Sequence, residues 1–172
     1  PNPNQPVTLV AVTKTRTPEQ IQEVLAAGQT ILGENRVQEL MDKYDAVGPE
    51  ATWHIIGHLQ SNKVKYIADK VALVHSLESQ SLAKELNQRM LALGHPMDCL
   101  VQVNIADEES KFGLPKEEVL PFLEMVSKMP GIHVKGLMHI APFFEDTEQV
   151  RPIFREMYQL FQEVKEKQIP GV

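Results

Sequence analysis

Polar side chains that could take part in chemistry follow several short apolar runs in this sequence. Lys14 follows the first run, Asn35 follows the second, and Asn104 and His139 follow later ones. A lysine beside a buried strand can be partly desolvated, and its deprotonated amine can then attack a carbonyl carbon. Amide and imidazole groups nearby would orient a small polar ligand. These positions predict a small-molecule site with Lys14 as its sharpest candidate.

The same positions also have purely structural interpretations. Lys14 could be a solvated lysine at a helix entry, and Asn35 could be the N-cap of the second helix. His54 alternates with Trp53 and Ile55 inside a strand, which favours a hydrogen-bonded core histidine over a catalytic base. Position in the sequence leaves these alternatives open, and no catalytic acid or base is assigned.

Several other kinds of site are not indicated. The strand ends offer no carboxylate pair for glycosidic acid-base chemistry, and neither a Gly-x-Ser-x-Gly elbow nor a Gly-x-x-x-x-Gly-Lys loop occurs. His58, His75 and His139 lie far apart in the sequence, and Cys99 is the single cysteine. We therefore expect no metal site.

The candidate residues stand at the ends of strands in a regular alternation of strands and helices. Short apolar runs predict buried strands at residues 9–12, 30–33, 53–57, 71–75, 99–104 and 134–138. Helices are predicted from a capping box at Thr17 to Gln20, over 35–45, from Ser61, from Ser79 to Gly94, after Pro115 and over 147–167. Pro121 is expected either to kink the fifth of these helices or to delay its start.

Six strand-helix units imply parallel strands joined by right-handed crossovers. The first strand is not followed by Gly-x-Gly-x-x-Gly, and polar or small residues end nearly every strand, which favours a barrel over an open dinucleotide-binding sheet. An eight-stranded barrel takes about 250 residues, so 172 residues predict a TIM-type (β/α)8 barrel truncated to about six units. Residues 1–7 are interpreted as a linker or the remnant of a longer N-terminus, and 8–172 as a partial barrel lacking the last two units.

The composition restricts the class of partner. Because 23 acidic residues outnumber 17 basic ones, giving a net charge of −6, a general attraction to nucleic acid or anionic membranes is not expected. No apolar stretch approaches the roughly 20 residues that span a bilayer, and a lone cysteine suits a reducing compartment. We expect a cytoplasmic protein. A monomer is expected for a separate reason, because no second domain is predicted that would complete a shared site.

Five motifs in order resemble one known family, the pyridoxal phosphate homeostasis proteins, which are single-domain barrels that bind pyridoxal 5'-phosphate (PLP) and are related to the alanine racemase N-terminal domain. The likeness runs from about residue 8 to 167, and its WHIIGHLQSNK block is highly specific. The motifs are LVAVTK at 9–14, GENRVQE at 33–39, WHIIGHLQSNK at 53–63, VN at 103–104 with SKFG at 110–113, and GLM at 136–138.

The resemblance implies PLP as the cofactor, held on Lys14 as an internal aldimine (a Schiff base). It places Asn35 beside the cofactor, and His54, Asn104 and Met138 on inner strands that line the site. The family usually has a proline where this chain has His58. Its two phosphate-binding segments, Ser-Met-Gly-Met-Ser and Arg-Ile-Gly-Thr, do not occur in this sequence.

By the same resemblance the expected function is PLP (vitamin B6) homeostasis, through uptake and release of PLP, with PLP-dependent apoenzymes as candidate recipients. The alternative is a PLP-dependent amino-acid racemase or lyase. Alanine racemases take a second proton donor, a tyrosine, from an additional β-domain, whereas Tyr44, Tyr66 and Tyr158 all lie in predicted helices. A third hypothesis is a cofactor-free barrel that serves as an interaction module, with Lys14 a surface residue.

Overall fold

Strands and helices alternate through the computed structural model, which describes residues 3–106 and 112–172. The strands are β1 (Ala11–Val12), β2 (Ile31–Glu34), β3 (Thr52–Ile55), β4 (Val71–Leu77), β5 (Met97–Asn104), β6 (Leu114–Pro115) and β7 (Ile132–Met138). The α-helices are α1 (Pro18–Ala26), α2 (Val37–Val47), α3 (Val64–Ile67), α4 (Gln80–Leu93), α5 (Val119–Val126) and α6 (Arg151–Lys167). Short 3-10 turns at Ser61–Lys63, Lys116–Glu118 and Thr147–Val150 lead into α3, α5 and α6.

All strand pairs are parallel, as the alternation predicts. The sheet runs β1-β2-β3-β4-β5, with β7 beside most of β5 and the two-residue β6 beside the last two residues of β5. Within the described residues β1 and β7 do not pair with each other, so the sheet is open between these two strands. The fold is therefore an α/β parallel sheet whose strand order is that of a barrel wall.

Local capping chemistry sets several helix ends where the sequence predicts them. At α1 the Thr17 Oγ1 accepts a hydrogen bond from the Gln20 backbone N–H, and the Gln20 Oε1 accepts one from the Thr17 N–H. Ser79 caps α4 by accepting from the Leu82 N–H, and Gly94 ends it in the left-handed region at φ 85°.

Four helices begin later than the sequence predicts, among them α3, which begins at Val64 after a 3-10 turn at Ser61–Lys63. The second begins at Val37 instead of Asn35, and its N-cap residue, Arg36, makes no side-chain capping bond, so the interpretation of Asn35 as an N-cap is wrong. The last begins at Arg151, because residues 147–150 form a 3-10 turn first. In α5 a 3-10 turn also comes first, and Pro121 then lies in the first helical turn, where no backbone N–H donor is needed.

The core lies between the sheet and the helices. Side chains of alternate strand residues face the helices and are buried, among them Leu32, Ile55, Val74, Cys99 and Val101. They pack against apolar side chains from the helices, including Ile21, Leu40, Leu86 and Leu123. The opposite face of the sheet is half-buried at Leu73, His75 and Leu100. This less covered face is the one that would line the inside of a barrel.

Cys99 lies in β5 with no exposed surface, and burial raises the pKa of its thiol to about 12. In the part of the chain that the structure describes, no helix is both long and apolar enough to cross a membrane.

Candidate cofactor-binding site

Lys14 lies at the carboxyl end of β1. The ladder continues past that strand, because the Thr13 N–H donates to the Gly33 carbonyl oxygen at 3.0 Å. Thr13 is 3% exposed, and Lys14 and Thr15 lie in the turn that follows, which the Arg16 N–H closes by donating to the Thr13 carbonyl oxygen at 3.1 Å. The Lys14 side chain is exposed, and the partial desolvation expected from the sequence is not found. Among the described residues its amine has neither a hydrogen-bond nor an ion-pair partner.

Register places His54 on the face of the sheet opposite the helices. Gly33 pairs with Val12 on one side and with His54 on the other, and residues in register point to one face of a sheet. Asn35 comes directly after β2 and is half-buried. Lys14, Asn35 and His54 therefore belong to three adjacent strands or to the residues that directly follow them.

Asn35 is held in place by close contact with Gly57. A Cβ atom on Gly57 would lie 3.0 Å from the Asn35 Cα and 3.1 Å from its carbonyl oxygen, so a side chain at position 57 would displace Asn35. Asn35 also borders a recess of about 230 Å³. The other residues that line this recess are Arg36, Val37, Gln38, His58, Gln60 and Lys63.

His54 is paired with His75 on the neighbouring strand. The His54 Nδ1 and the His75 Nε2 lie 3.0 Å apart, so one ring donates a proton and the other accepts it. Burial lowers the pKa of His54. Burial, and secondly the neighbouring His54, lowers the pKa of His75 to about 4. At neutral pH both rings are therefore uncharged, which agrees with the interpretation of His54 as a hydrogen-bonded core histidine.

Asn104 and Met138 lie at the carboxyl ends of β5 and β7. Met138 is in register with Gln102, so the two side chains point to the same face of the sheet. Asn104 follows Gln102 by two residues in β5 and points to that face as well. The loop that follows β5 approaches closely at Gly113, where a Cβ atom would lie 2.8 Å from the Asn104 backbone N and from the Val103 carbonyl carbon. Gly113 also has a φ of 119°, a conformation that glycine adopts without strain.

Two other histidines from the sequence analysis have partners elsewhere at the same end of the sheet. The His58 Nδ1 lies 2.7 Å from the Glu78 Oε1, and its ring stacks on Phe112 with centroids 4.1 Å apart. His139 Nδ1 lies 3.0 Å from the Val103 carbonyl oxygen. Ser110 and Lys111 of the fourth motif lie outside the described residues. Within residues 3–106 and 112–172 no group of three His, Cys, Asp or Glu side chains could hold a metal ion.

A buried ionic cluster beneath Lys14 was not predicted from the sequence. The Lys43 Nζ of α2 donates to the Glu34 Oε1 at 2.7 Å, to the Thr13 carbonyl oxygen at 2.8 Å and to the Glu39 Oε2 at 3.1 Å. Glu34 has no exposed surface, and Lys43 is 8% exposed. The only signal in the sequence is the i,i+4 spacing of Glu39 and Lys43, which is typical of a surface pair.

The ionisation of this cluster is set by its hydrogen bonds. Burial alone would lower the pKa of Lys43, but the bonds to Glu34 and Glu39 outweigh it and raise that pKa. The pKa of Glu39 lies below its usual range, first because the Thr15 N–H donates to its carboxylate and secondly because Lys43 does. Lys43 and Glu39 therefore carry their charges at neutral pH. The cluster contacts the residues on both sides of Lys14.

The residues present fit PLP in their chemistry. The cofactor offers an aldehyde, and the turn after β1 offers a primary amine at Lys14 that no described residue engages. Asn35, which follows the neighbouring strand, supplies amide donors and acceptors.

Comparison with known proteins supports the same conclusion. The family model described as "Alanine racemase, N-terminal domain" matches residues 4–171. The pyridoxal phosphate homeostasis protein of Aquifex aeolicus is 41% identical over 158 residues, which are 91% of this chain and 69% of that protein. The protein of the same name from Haemophilus influenzae is 36% identical over 163 residues, which are 93% of this chain and 69% of that one.

Solved structures agree with the sequence relatives. The structure of PipY from Synechococcus elongatus PCC7942 with PLP bound has a TM-score of 0.87 and 29% identity, covering 98% of this chain and 80% of PipY. An alanine racemase from Clostridium difficile 630 shares the fold, with a TM-score of 0.78 at 14% identity over 98% of this chain and 47% of the racemase. The chain belongs to the alanine racemase N-terminal domain family and, within it, to the pyridoxal phosphate homeostasis proteins.

Proposed function

We propose that this chain binds PLP through the Lys14 Nζ and acts in PLP homeostasis by taking up and releasing the cofactor. One observation carries the proposal: Lys14 stands at the carboxyl end of β1, exposed, with an amine that no described residue engages. The relatives named as PLP homeostasis proteins and the PLP-bound PipY structure support it. Exposure of the lysine suits reversible loading, because the cofactor can reach the amine and leave it again.

The neighbouring residues would bind and orient the cofactor. Asn35, fixed against Gly57, would donate to a ring substituent. His54 would present an uncharged ring, since its burial disfavours protonation. Asn104 and Met138 would line the inner face at the ends of β5 and β7. When bound, PLP supplies an electron-withdrawing ring that stabilises negative charge on an attached amino acid.

A carrier role is favoured over a racemase because of where the tyrosines lie. A racemase needs a proton donor on the face of the cofactor opposite the lysine. Tyr44, Tyr66 and Tyr158 lie in α2, α3 and α6, away from the strand ends. His75, with a pKa of about 4, is not protonated at neutral pH and is a poor donor.

Borohydride trapping tests the binding site. After incubation of the full chain with PLP, reduction should leave a pyridoxyl group on the peptide that contains Lys14, detected by mass spectrometry. Lys14→Ala should lose the visible absorbance of bound PLP while keeping its melting temperature, because an exposed side chain contributes little to packing. A chain that gains no pyridoxyl group at Lys14 would favour the hypothesis of a cofactor-free interaction module.

Deuterium exchange separates a carrier from an enzyme. PLP-loaded protein incubated in D2O with each common amino acid should leave the Cα proton in place. Incorporation of deuterium into any of them would show proton abstraction and favour the racemase or lyase alternative.

We further propose that the loaded chain is monomeric and passes PLP to apoenzymes. Light scattering should give the mass of one chain. A PLP-free aminotransferase is mixed either with the PLP-loaded protein or with the same concentration of PLP-free protein plus free PLP. The free PLP is added at the concentration found when the loaded protein is filtered. The aminotransferase should recover activity faster in the first mixture. Equal rates would show that release to solvent is sufficient.

A further inference from the structure

The two residues that flank Lys14 are both bonded to the buried ionic cluster. On one side, the Thr13 carbonyl oxygen accepts from the Lys43 Nζ at 2.8 Å, and the Thr13 Oγ1 donates to the Glu34 Oε1 at 2.7 Å. On the other side, the Thr15 N–H donates to the Glu39 Oε2 at 2.9 Å. Hydrogen bonds to the cluster therefore restrain the backbone on both sides of Lys14.

Thr15 adopts an unfavourable backbone conformation, which the hydrogen bond to Glu39 stabilises. Its φ is 63°, in the left-handed region that a β-branched residue rarely adopts. The Glu39 carboxylate that receives its N–H is in turn bonded to Lys43 at 3.1 Å. This turn comes directly after the strand and reverses the chain toward α1, so its geometry decides how the Lys14 side chain leaves the sheet.

All three protons of the Lys43 ammonium group are used within this arrangement, since it has three acceptors within 3.1 Å. One acceptor is a backbone oxygen next to Lys14, and the other two are the carboxylates that bond to Thr13 and Thr15. A lysine placed only to stabilise α2 would not need these contacts with the preceding strand.

We propose that Glu34, Glu39 and Lys43 form a positioning cluster that fixes the backbone of residues 13–15 and so presents the Lys14 amine to PLP in one orientation. The inference rests on the proposed function, because it concerns how Lys14 meets the cofactor. None of the three residues is placed in contact with PLP. Each acts through the backbone of residues 13–15, which we call the Lys14 turn.

Substitutions at Glu39 test the proposal, because this side chain is 28% exposed and its loss should leave the core folded. Glu39→Ala removes the acceptor of the Thr15 N–H, whereas Glu39→Gln keeps an oxygen there. Lys116→Met is the matched control: it breaks the Lys116–Glu156 pair of 3.4 Å, which does not contact β1. Melting temperatures establish that each variant is folded.

Three rates are measured on each protein: exchange of the Thr15 amide proton by NMR, borohydride trapping of PLP at Lys14, and reductive methylation of Lys14 by formaldehyde relative to the exposed Lys84. In Glu39→Ala we expect Thr15 exchange to rise at least about tenfold and PLP trapping to slow about tenfold. Methylation should not change, because formaldehyde needs no fixed orientation. Glu39→Gln and Lys116→Met should resemble the parent chain.

The proposal is overturned if Glu39→Ala traps PLP at the parental rate once Thr15 protection is lost, or if the Thr15 amide is unprotected in the parent chain. Failure of the proposed function has a different signature. The parent chain itself would then carry no pyridoxyl group on Lys14, while Thr15 protection would still depend on Glu39.

Discussion

At the scale of single residues, the sequence predicts which residues follow a strand, but it does not predict which side chains surround them. The apolar run before Lys14 places it correctly at the mouth of β1, and the family motifs point to the same residue. Its exposure could not be foreseen, since that depends on which neighbours reach it. Nor could the cluster of Glu34, Glu39 and Lys43, because Glu39 and Lys43 have the spacing of a helix-surface pair, and nothing in the sequence shows that Glu34 at the end of β2 meets them.

Removing one member of this cluster should be costly for stability. Lys43→Met leaves the carboxylate of Glu34 buried with no exposed surface and without its cation, which typically costs about 3–5 kcal/mol. Urea unfolding should show this loss, and adding Glu34→Gln should recover much of it because the buried charge is then gone. A Lys43→Met chain as stable as the parent would contradict this expectation.

At the scale of secondary-structure elements, strand and cap positions follow from local chemistry, while helix starts depend on tertiary contacts. The Thr17 capping box and the Gly94 stop are read directly from residue types. The start of α2 is not, because Asn35 lies close to Gly57, two residues after β3, and Arg36 takes the N-cap position instead. A single sequence gives no signal for that contact.

The hydrogen-bonded pair of His54 in β3 and His75 in β4 should make the free energy of unfolding depend on pH. The pKa of His75 is about 4 in the folded chain and about 6.5 when unfolded, so between these values the unfolded state binds more protons. The free energy of unfolding should therefore be highest above about pH 6.5 and fall toward pH 4, by at most about 3 kcal/mol from this group. Partial exposure reduces that figure.

His75→Asn isolates this contribution, because the amide can still bond to His54 but does not titrate. Urea unfolding at several pH values should give a shallower decline between pH 6.5 and 4 than in the parent chain. Identical slopes would show that the decline comes from other groups and that the pKa of His75 is not lowered in the folded chain.

At the scale of the whole molecule, the alternation of six apolar runs with amphipathic segments predicts parallel strands, which the structure has. The alternation does not by itself give the order of the strands. The absence of a Gly-x-Gly-x-x-Gly turn after the first strand and the polar strand ends favour the sequential order of a barrel. The two-residue β6 gives no such signal, because its pairing depends on the close approach of Gly113 to β5. Pairing at the outer edges of β1 and β7 is likewise invisible to periodicity.

Because Cys99 is buried, the folded chain should not react with thiol-labelling reagents. Its thiol has no exposed surface and a pKa near 12, so very little thiolate exists at neutral pH. We expect Ellman's reagent to detect no thiol in the native protein and one per chain in urea. A cysteine introduced at an exposed position near the Lys14 turn would then be labelled alone, so a fluorophore there could report PLP uptake and release without removing the native cysteine.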